Sequence, residues 1–277
     1  MVSTAVATHG RYLVPTAVAD KRVDNVSRAA AALVALGSPE AVEGHGLGVV
    51  RLAQLTGGDK GQVSRLLTTL AEQGLVERDA DTRSYRLGWQ LFALAARAGD
   101  QRLLVLAAPL LSELVERVGE RANLSVLRGA EVLTVASQAQ PRAVQTIGWV
   151  GRTVPSYSTS SGRALLLDHS RAELDALFGA GPLEPGGPGS PPDAATLHRR
   201  IVSSRARGFT AVAEEFEPEL VAAAAPVRDS RGHICAAVNV SAPRFRFGAR
   251  RLAELGRVIK DTADELSALL RVDGRAR

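Results

Sequence analysis

Residues 49–87 read VVRLAQLTGGDKGQVSRLLTTLAEQGLVERDADTRSYRL, and this stretch decides the fold of the first part of the chain. Its opening apolar residues share one stripe of a helix, and Gly57 and Gly58 then end that helix because glycine tolerates left-handed backbone. Asp59 follows, and its carboxylate can cap a second helix. The sequence therefore predicts two helices joined by a tight turn.

The second predicted helix has two unlike faces. Its apolar face carries Val63, Leu66, Leu67 and Leu70, which are spaced to share one buried side of a helix. The opposite face is small, polar and cationic, so it could enter the major groove of DNA. The residues that we expect to meet base edges or nearby phosphates are Lys60, Gln62, Ser64, Arg65 and Thr68.

A hairpin is predicted directly after this helix. Two short extended runs, 75–78 and 84–87, flank turn-forming residues at 79–82. Helix, turn, helix and hairpin together predict a winged helix-turn-helix. A helix pair alone is also common in proteins that never touch DNA, and the arginines of the hairpin favour DNA binding. The wing residues expected to touch the DNA backbone or the minor groove are Arg78, Arg83 and Tyr85.

Composition bounds the remaining possibilities. A chain of 277 residues favours two domains, and its net charge of +5 favours an acidic partner without excluding an ordinary enzyme. Cys235 is the only cysteine, which excludes an intramolecular disulfide framework and a zinc site built from several cysteines. No signal peptide and no run of about 20 apolar residues is present. We therefore expect a soluble, cytoplasmic protein without a membrane partner.

The helix after the hairpin, WQLFALAARA at 89–98, is apolar around nearly its full circumference. Such a helix must be covered from two sides, either by a second subunit, which we favour, or by a large core of the same chain. The residues assigned to dimerisation are Trp89, Phe92 and Leu94. The predicted layout is a disordered extension (1–23), a winged helix-turn-helix domain (24–88), a linker helix for dimerisation (89–102) and a second domain (103–271).

The second domain mixes helices and strands. Turn residues between neighbouring apolar runs favour an antiparallel sheet, and we expect an α+β fold. A Gly- and Pro-rich segment, 179–193, is expected to be a surface excursion. Strands are predicted at 123–127, 132–137, 144–147, 209–213, 221–227 and 234–240, and helices at 103–118, 158–167, 171–178, 194–207 and 248–270.

A hydroxyl-rich segment at 154–162 opens one of these helices. A carboxylate or similar anion could dock there, although simple helix capping is the alternative. Alanines and other small residues on the later strands leave room for a small molecule, but tight helix packing would also select alanine. The residues assigned to effector binding are Ser158, Ser160, Ser161, Glu214, Ala222, Asn239 and Ser241.

The acidic cluster at 214–219 could in principle hold a metal or act as acid and base. The five histidines are scattered and no metal-ligand spacing appears, so we expect a solvated loop there. Neither a nucleophile elbow nor a phosphate-binding glycine loop is present. The sequence therefore predicts no metal, no cofactor and no catalytic residues.

Ordered motifs along residues 25–270 resemble the IclR family of bacterial transcription regulators. They include NVSRA at 25–29, VSRLLTTL at 63–70 with GLVER at 74–78, GRTVP at 151–155, SGRALL at 161–166 and APVRD at 225–229. The resemblance implies an N-terminal winged helix-turn-helix, a linker helix used in dimerisation and a C-terminal effector-binding domain of GAF-like fold. It also implies dimers that can pair into tetramers on DNA.

The chain departs from the family pattern near the implied pocket. Members commonly carry an acidic pair shortly after the position of Thr210, and a Gly-Val-Arg-Cys run before the Ala-Pro strand. Here those positions read Val212-Ala213 and Glu219-Leu220-Val221-Ala222. We therefore expect an effector that is different from, or less polar than, the small oxo acids that some relatives bind.

These expectations combine into one functional hypothesis. The chain is expected to be a ligand-responsive transcription regulator, a repressor in the first instance, that binds double-stranded operator DNA as a homodimer or homotetramer. Its effector would be a small molecule such as a carboxylic acid or an aromatic compound. The alternatives are an enzyme acting on a small acid, with the winged helix as a docking module, and a DNA-binding protein without an effector.

Overall fold

The structure, a computed structural model, describes residues 11–12, 25–95, 101–140, 150–179 and 181–273. The chain divides into two compact units, Met1–Gln101 and Arg102–Arg277. Each unit has its own hydrophobic core.

The first unit is mainly helical. Buried residues of four helices and a hairpin, among them Leu52, Leu67 and Val76, form its core. The two described residues of the predicted 1–23 extension form a short strand. The elements are β1 (Arg11–Tyr12), α1 (Asn25–Leu36), α2 (Pro39–Glu43), α3 (Val49–Thr56), α4 (Lys60–Glu72), β2 (Val76–Arg78), β3 (Tyr85–Leu87) and α5 (Trp89–Ala95).

Helices α3 and α4, with the turn that joins them, form the predicted helix-turn-helix. Gly57 adopts left-handed backbone at φ 70° and its N–H donates to the carbonyl of Ala53, which ends α3. The Asp59 carboxylate then accepts the N–H of Gln62 at 3.0 Å and starts α4. Strands β2 and β3 pair antiparallel, with Glu77 opposite Arg86, and form the predicted wing.

The segment between α1 and α3 contains the short helix α2, which the sequence does not predict. The Ser38 hydroxyl accepts the N–H of Ala41, and Pro39 occupies the first turn, where its missing N–H costs nothing. A five-residue helix is too short to show apolar periodicity, so it gives no signal in the sequence.

The second unit combines an antiparallel sheet with flanking helices. The first helix of this unit, α6, runs through Pro109 without a break. Its elements are α6 (Gln101–Val118), β4 (Ala122–Arg128), β5 (Glu131–Gln138), β6 (Arg152–Pro155), α7 (Ser160–Leu165), α8 (Arg171–Phe178), α9 (Ala194–Arg205), β7 (Thr210–Ala213), β8 (Leu220–Arg228), β9 (Ile234–Pro243) and α10 (Ala249–Asp273).

Within this unit the strands lie in the order β6-β5-β4-β9-β8-β7, and every pair is antiparallel. Helices α6 and α10 cover one face, where Leu124, Val238 and Val240 join the main core. Helix α7 covers part of the other face, where Ala164 packs against Ala224 and Ala237. Since side chains alternate along a strand, adjacent residues face the two different layers.

One strand and one helix start differ from the sequence predictions. The strand predicted at 144–147 lies outside the described residues, while β6 (Arg152–Pro155) was not predicted as a strand. Helix α7 begins at Ser160 rather than at Ser158, because Thr159 is its N-cap and accepts the N–H of Gly162 at 3.2 Å. The residues before the cap are therefore extended or turn-like, as N-cap geometry requires.

Candidate functional site

Helix α4 presents its polar side to solvent. Lys60, Gln62, Arg65 and Thr68 are exposed, and Ser64 is half-buried. The hydroxyl of Thr68 donates to the Ser64 carbonyl at 3.0 Å, so this hydroxyl makes its hydrogen bond within α4. These five residues are the ones predicted from the sequence, and the fold places them on one helix, opposite the buried Val63 and Leu67.

The wing divides the predicted residues differently. Arg78 and Arg83 are exposed, but Tyr85 is only 2% exposed and belongs to the core of the first unit. The prediction that Tyr85 touches DNA is therefore wrong. Alternation along β3 turns Tyr85 inward and Arg86 outward, and Arg86 pairs with Glu77 at 2.8 Å.

Helix α5 carries exposed apolar surface at the end of the first unit. Trp89 is 75% exposed and Leu94 is 48% exposed. The side chain of Phe92, and residues 96–100 of the predicted linker helix, lie outside the described part of the chain. Exposed apolar surface of this kind is typical of a contact with another protein.

The second unit contains a cavity beside the sheet. The space between its walls that no atom occupies, its open mouth included, is about 540 Å³. The described residues that line it are Asn123, Ser125, Thr134, Val154, Thr159, Ser160, Ser161, Val212, Phe216, Leu220, Ala222, Asn239 and Ser241.

The sheet forms the floor of this cavity. Asn123 of β4 lies directly opposite Asn239 of β9, and Ala222 of β8 lies opposite Ser241. Their neighbours along the strands, such as Leu124 and Val240, point into the core on the other face. Alternation along the strands therefore places the polar residues Asn123, Asn239 and Ser241 on the cavity side.

Helix α7 contributes one wall through Ser160 and Ser161. The helix sits so close to the preceding loop that a Cβ on Gly162 would fall 2.1 Å from the carbonyl oxygen of Ser156. Only glycine fits at that contact, because a side chain there would push α7 off the loop. Gly162 therefore fixes the position of the two serines that line the cavity.

The structure divides the predicted effector residues into two groups. Ser160, Ser161, Ala222, Asn239 and Ser241 line the cavity. Ser158 and Glu214 do not, which corrects the prediction for both. Ser158 immediately precedes Thr159, the N-cap of α7, and it is completely buried beneath the segment that contains Gly186. The Glu214 carboxylate instead bonds to the Arg244 guanidinium and accepts the Glu219 N–H.

The acidic cluster is solvated only in part, because Glu219 is exposed but one of its glutamates is buried. Glu215 is buried, and its carboxylate bonds to Arg163 through one oxygen and contacts Arg200 at 3.1 Å through the other. Burial lowers the pKa of Arg163, and the neighbouring Glu215 carboxylate opposes that shift. Glu215 precedes Phe216, so this buried pair lies next to a cavity wall.

The Gly- and Pro-rich segment at 179–193 lies mostly at the surface, as predicted, and backbone hydrogen bonds dock its middle. The N–H groups of Gly187 and Gly189 donate to the carbonyls of Glu215 and Glu214 at 2.8 and 2.9 Å. Arg200 adds a bond to the Gly189 carbonyl at 2.7 Å. Backbone approaches this close require glycine, which explains the composition of the segment without invoking solvation.

Sequence reasoning missed several lining residues. The missing signal was available in part, since Asn123 and Ser125 alternate with Leu124 and Val126 along β4. Such alternation predicts a strand with one polar face, but it does not say that this face borders a cavity. The lining residues not predicted are Asn123, Ser125, Thr134, Val154, Thr159, Val212, Phe216 and Leu220.

Metal sites and membrane-spanning helices are two other features to consider in the described residues. Within those ranges, no group of three or more His, Cys, Asp or Glu side chains is arranged to hold a metal ion. The helices described here also include none with the length and apolar character needed to cross a membrane.

A winged helix-turn-helix with an exposed polar helix face, in one chain with an α+β unit that holds a cavity lined by polar and apolar side chains, defines a class: DNA-binding regulators with a ligand-binding domain. The comparisons with known proteins agree. The IclR helix-turn-helix domain matches residues 26–80, and the C-terminal domain of the bacterial transcriptional regulator IclR matches residues 96–268. The chain belongs to the IclR family of transcriptional regulators.

Individual relatives cover most of the chain. The transcriptional regulator BhcR of Paracoccus denitrificans is 31% identical over 80% of this chain and 80% of its own length. The transcriptional repressor AllR of Escherichia coli K12 is 26% identical over 74% of this chain and 76% of its own. An IclR homologue from Microbacterium hydrocarbonoxydans, solved with 4-hydroxybenzoate, has the same fold, with a TM-score of 0.75, 22% identity, and coverage of 90% of this chain and 100% of that one.

Proposed function

We propose that this regulator binds double-stranded operator DNA through α4 and the wing, as a homodimer or a pair of homodimers, and that a small molecule in the cavity sets its operator affinity. The observation that carries the proposal is the division of α4 into two faces. Val63 and Leu67 are completely buried, while Arg65 and Thr68 on the other face are exposed. A helix whose polar face has no partner in its own unit is available to a DNA groove.

The side chains of α4 and the wing suit different parts of DNA. Arg65 can donate two hydrogen bonds to a guanine edge, and Gln62 can pair with adenine. Lys60 lies at the start of α4, where cationic and backbone N–H groups favour phosphate. Arg78 and Arg83 on the wing are suited to the phosphate backbone, which positions the protein without reading sequence.

A dimer would place two such units on one operator. Trp89 and Leu94 offer exposed apolar surface for the contact, and two-fold operators require paired reading helices. We assign these two residues, with Phe92, to the dimer interface. Pairing of dimers into a tetramer extends the same logic to longer operators.

The cavity supplies a place for regulation. A related fold holds 4-hydroxybenzoate, so small carboxylic acids and aromatic compounds are the first classes to test. A ligand changes operator affinity only if it prefers one arrangement of the reading units over another. Because AllR is a repressor, we propose repression that the ligand relieves.

An enzymatic role for the second unit is less well supported. The described lining holds no histidine, lysine or carboxylate that could act as a general base for its serines. A turnover screen with small carboxylic acids would reveal such an activity if it exists.

The test of the proposal is selection of genomic DNA. The full chain, without added ligand, should retain a discrete genomic fragment, and Arg65→Ala should weaken its binding by roughly ten- to hundredfold at fixed salt, the range for one lost base contact. Arg231→Ala is the matched control, since Arg231 is an exposed arginine on the β8–β9 turn of the second unit. Failure to retain any fragment, or equal affinities of the two variants, would contradict the proposal.

A further inference from the structure

We infer that the cavity of the second unit takes a neutral small molecule that carries a carboxamide or lactam group, in preference to a carboxylate. This inference rests on the proposed function, because it names the class of ligand that occupies the proposed effector site. It is carried by the charge of the lining and by a pair of buried asparagines.

The described lining is uncharged. None of its thirteen residues is Asp, Glu, Lys, Arg or His. Glu215, the buried charged residue next to Phe216, is already engaged by Arg163 and Arg200. A carboxylate that entered would lose water and gain no cation from the described lining, and it would meet only the start of α7, a helix of six residues, beside Ser160 and Ser161.

The floor contains two side-chain amides. Asn123 and Asn239 are directly opposite in the β4–β9 register and are 4% and 9% exposed. Directly opposite side chains lie within reach of the same small molecule. Two amides side by side therefore present both hydrogen-bond donors and acceptors to one ligand.

One oxygen of these two amides lacks a donor among the described residues. The Oδ1 atom of Asn123 is buried and accepts no hydrogen bond from any residue that the structure describes. A buried acceptor without a donor is costly, so a ligand N–H or O–H at this point gains what the unliganded protein lacks. An ionised carboxylate has no hydrogen to donate and cannot satisfy this atom.

A carboxamide satisfies both conditions. It is neutral, so its entry into the cavity does not require a charge to be removed from water. Its N–H and C=O groups can pair with the C=O and N–H groups of an asparagine side chain. The apolar remainder of such a ligand would pack against Phe216, Val154 and Leu220. Hydroxyls from Ser125, Thr134 and Ser241 can hydrogen-bond further substituents because each donates and accepts.

The experiment compares isosteric pairs on the full chain by titration calorimetry at pH 7. The probes are benzamide and benzoate, 4-hydroxybenzamide and 4-hydroxybenzoate, nicotinamide and nicotinate, and isobutyramide and isobutyrate. We expect at least one carboxamide to bind about tenfold or more tightly than its carboxylate, because a site built for a donor rejects an analogue that lacks it. Equal or tighter binding of the carboxylates, or no binding of any carboxamide, overturns the inference.

Variants test the role of the asparagine. Asn123→Leu should reduce the preference to about twofold or less, whereas Asn25→Leu, the same exchange at an exposed residue of α1, should preserve it. Asn123→Ser, which keeps a polar group of smaller size, serves if the leucine variant does not fold. A preference that survives both Asn123 variants overturns the assignment.

The outcome can be separated from that of the proposed function. Retention of genomic DNA is measured without ligand, so a chain that selects an operator but binds no carboxamide overturns this inference alone. A chain that binds carboxamides but selects no DNA overturns the proposed function and leaves the ligand class standing.

Discussion

The guanidinium of Arg163 on α7 bonds to the carboxylate of Glu215 in the turn between β7 and β8, and the two side chains are only 3% and 8% exposed. The pair joins the helix that carries Ser160 and Ser161 to the turn that carries Phe216. Two walls of the cavity are thus held together by one buried ion pair. Within the described residues the Nε atom of Arg163 has no partner, so Glu215 is the main compensation for this buried charge.

Removal of one charge of this pair should destabilise the second unit. Glu215→Gln leaves Arg163 buried without a countercharge, and we expect a loss of about 3 to 5 kcal/mol in the free energy of unfolding. Urea unfolding of the full chain measures it. Glu40→Gln, which breaks the exposed Arg51 pair, is the control and should change stability little. Similar effects of the two variants would contradict a buried role for Glu215.

The pair between Arg228 and Asp168 should make stability depend on pH. The hydrogen bond from Arg228 lowers the pKa of Asp168 below its usual 3.8. The unfolded chain therefore binds this proton at higher pH than the folded chain does, so the contribution is complete above about pH 5 and is lost as the pH falls through the folded pKa. Asp168 is half exposed, so we expect Asp168→Asn to cost below about 1 kcal/mol at pH 7.

Urea titrations of wild type and Asp168→Asn between pH 3 and pH 7 measure this difference. The two curves should converge as the solution is acidified. A gap in stability that stays constant down to the lowest pH, or that widens there, would be inconsistent with an aspartate stabilised in its charged form.

The inward position of Tyr85 gives a prediction about DNA binding. Tyr85→Phe keeps the buried ring and should leave operator affinity within about twofold, whereas Arg83→Ala should weaken binding and reduce its salt dependence by about one counterion. Tyr85→Ala should destabilise the first unit by about 3 to 5 kcal/mol, as other large aromatic truncations do. Mobility-shift assays over a salt series and urea unfolding provide the measurements. A Tyr85→Phe variant that loses affinity with its stability intact would show that the hydroxyl reaches DNA.

The exposed apolar residues of α5 should govern oligomeric state. The double variant Trp89→Ser, Leu94→Ser removes two large contacts, and we expect the dimer dissociation constant to rise by at least about tenfold, as for a central aromatic contact. Sedimentation equilibrium measures it. Val26→Ser is the control, because Val26 is also an exposed apolar residue of the first unit. Dimers of unchanged strength in the α5 variant would remove this helix from the interface.

Much of the DNA-reading unit could be predicted from the sequence, because its signals are local. Gly57 and Asp59 mark the turn and the cap, and the buried residues of α4 follow helical spacing. Helix α2 was not predicted, because it is too short to show periodicity even though Ser38 caps it locally. The inward direction of the Tyr85 side chain was also not predicted, because which face of a three-residue strand is buried depends on what covers the strand.

The cavity was predicted only in part. Serines 160 and 161 are conspicuous because they follow one another at a helix start, and small residues marked β8 and β9. Asn123 was not predicted, since it meets Asn239 only through a pairing of strands more than a hundred residues apart in sequence. The same holds for Glu215, whose burial depends on Arg163 and on the glycine-rich segment docked over it.

The sequence by itself determined the periodic elements, their caps and the polar face of α4, because these depend on residues within a few positions of one another. Only the tertiary structure decided which polar residues share a cavity and which charges are buried, because those outcomes depend on strand register and on contacts between distant segments. Asn123 faces Asn239 and Arg163 meets Glu215 for that reason: the sheet and its covering helix fix distances that no local pattern encodes.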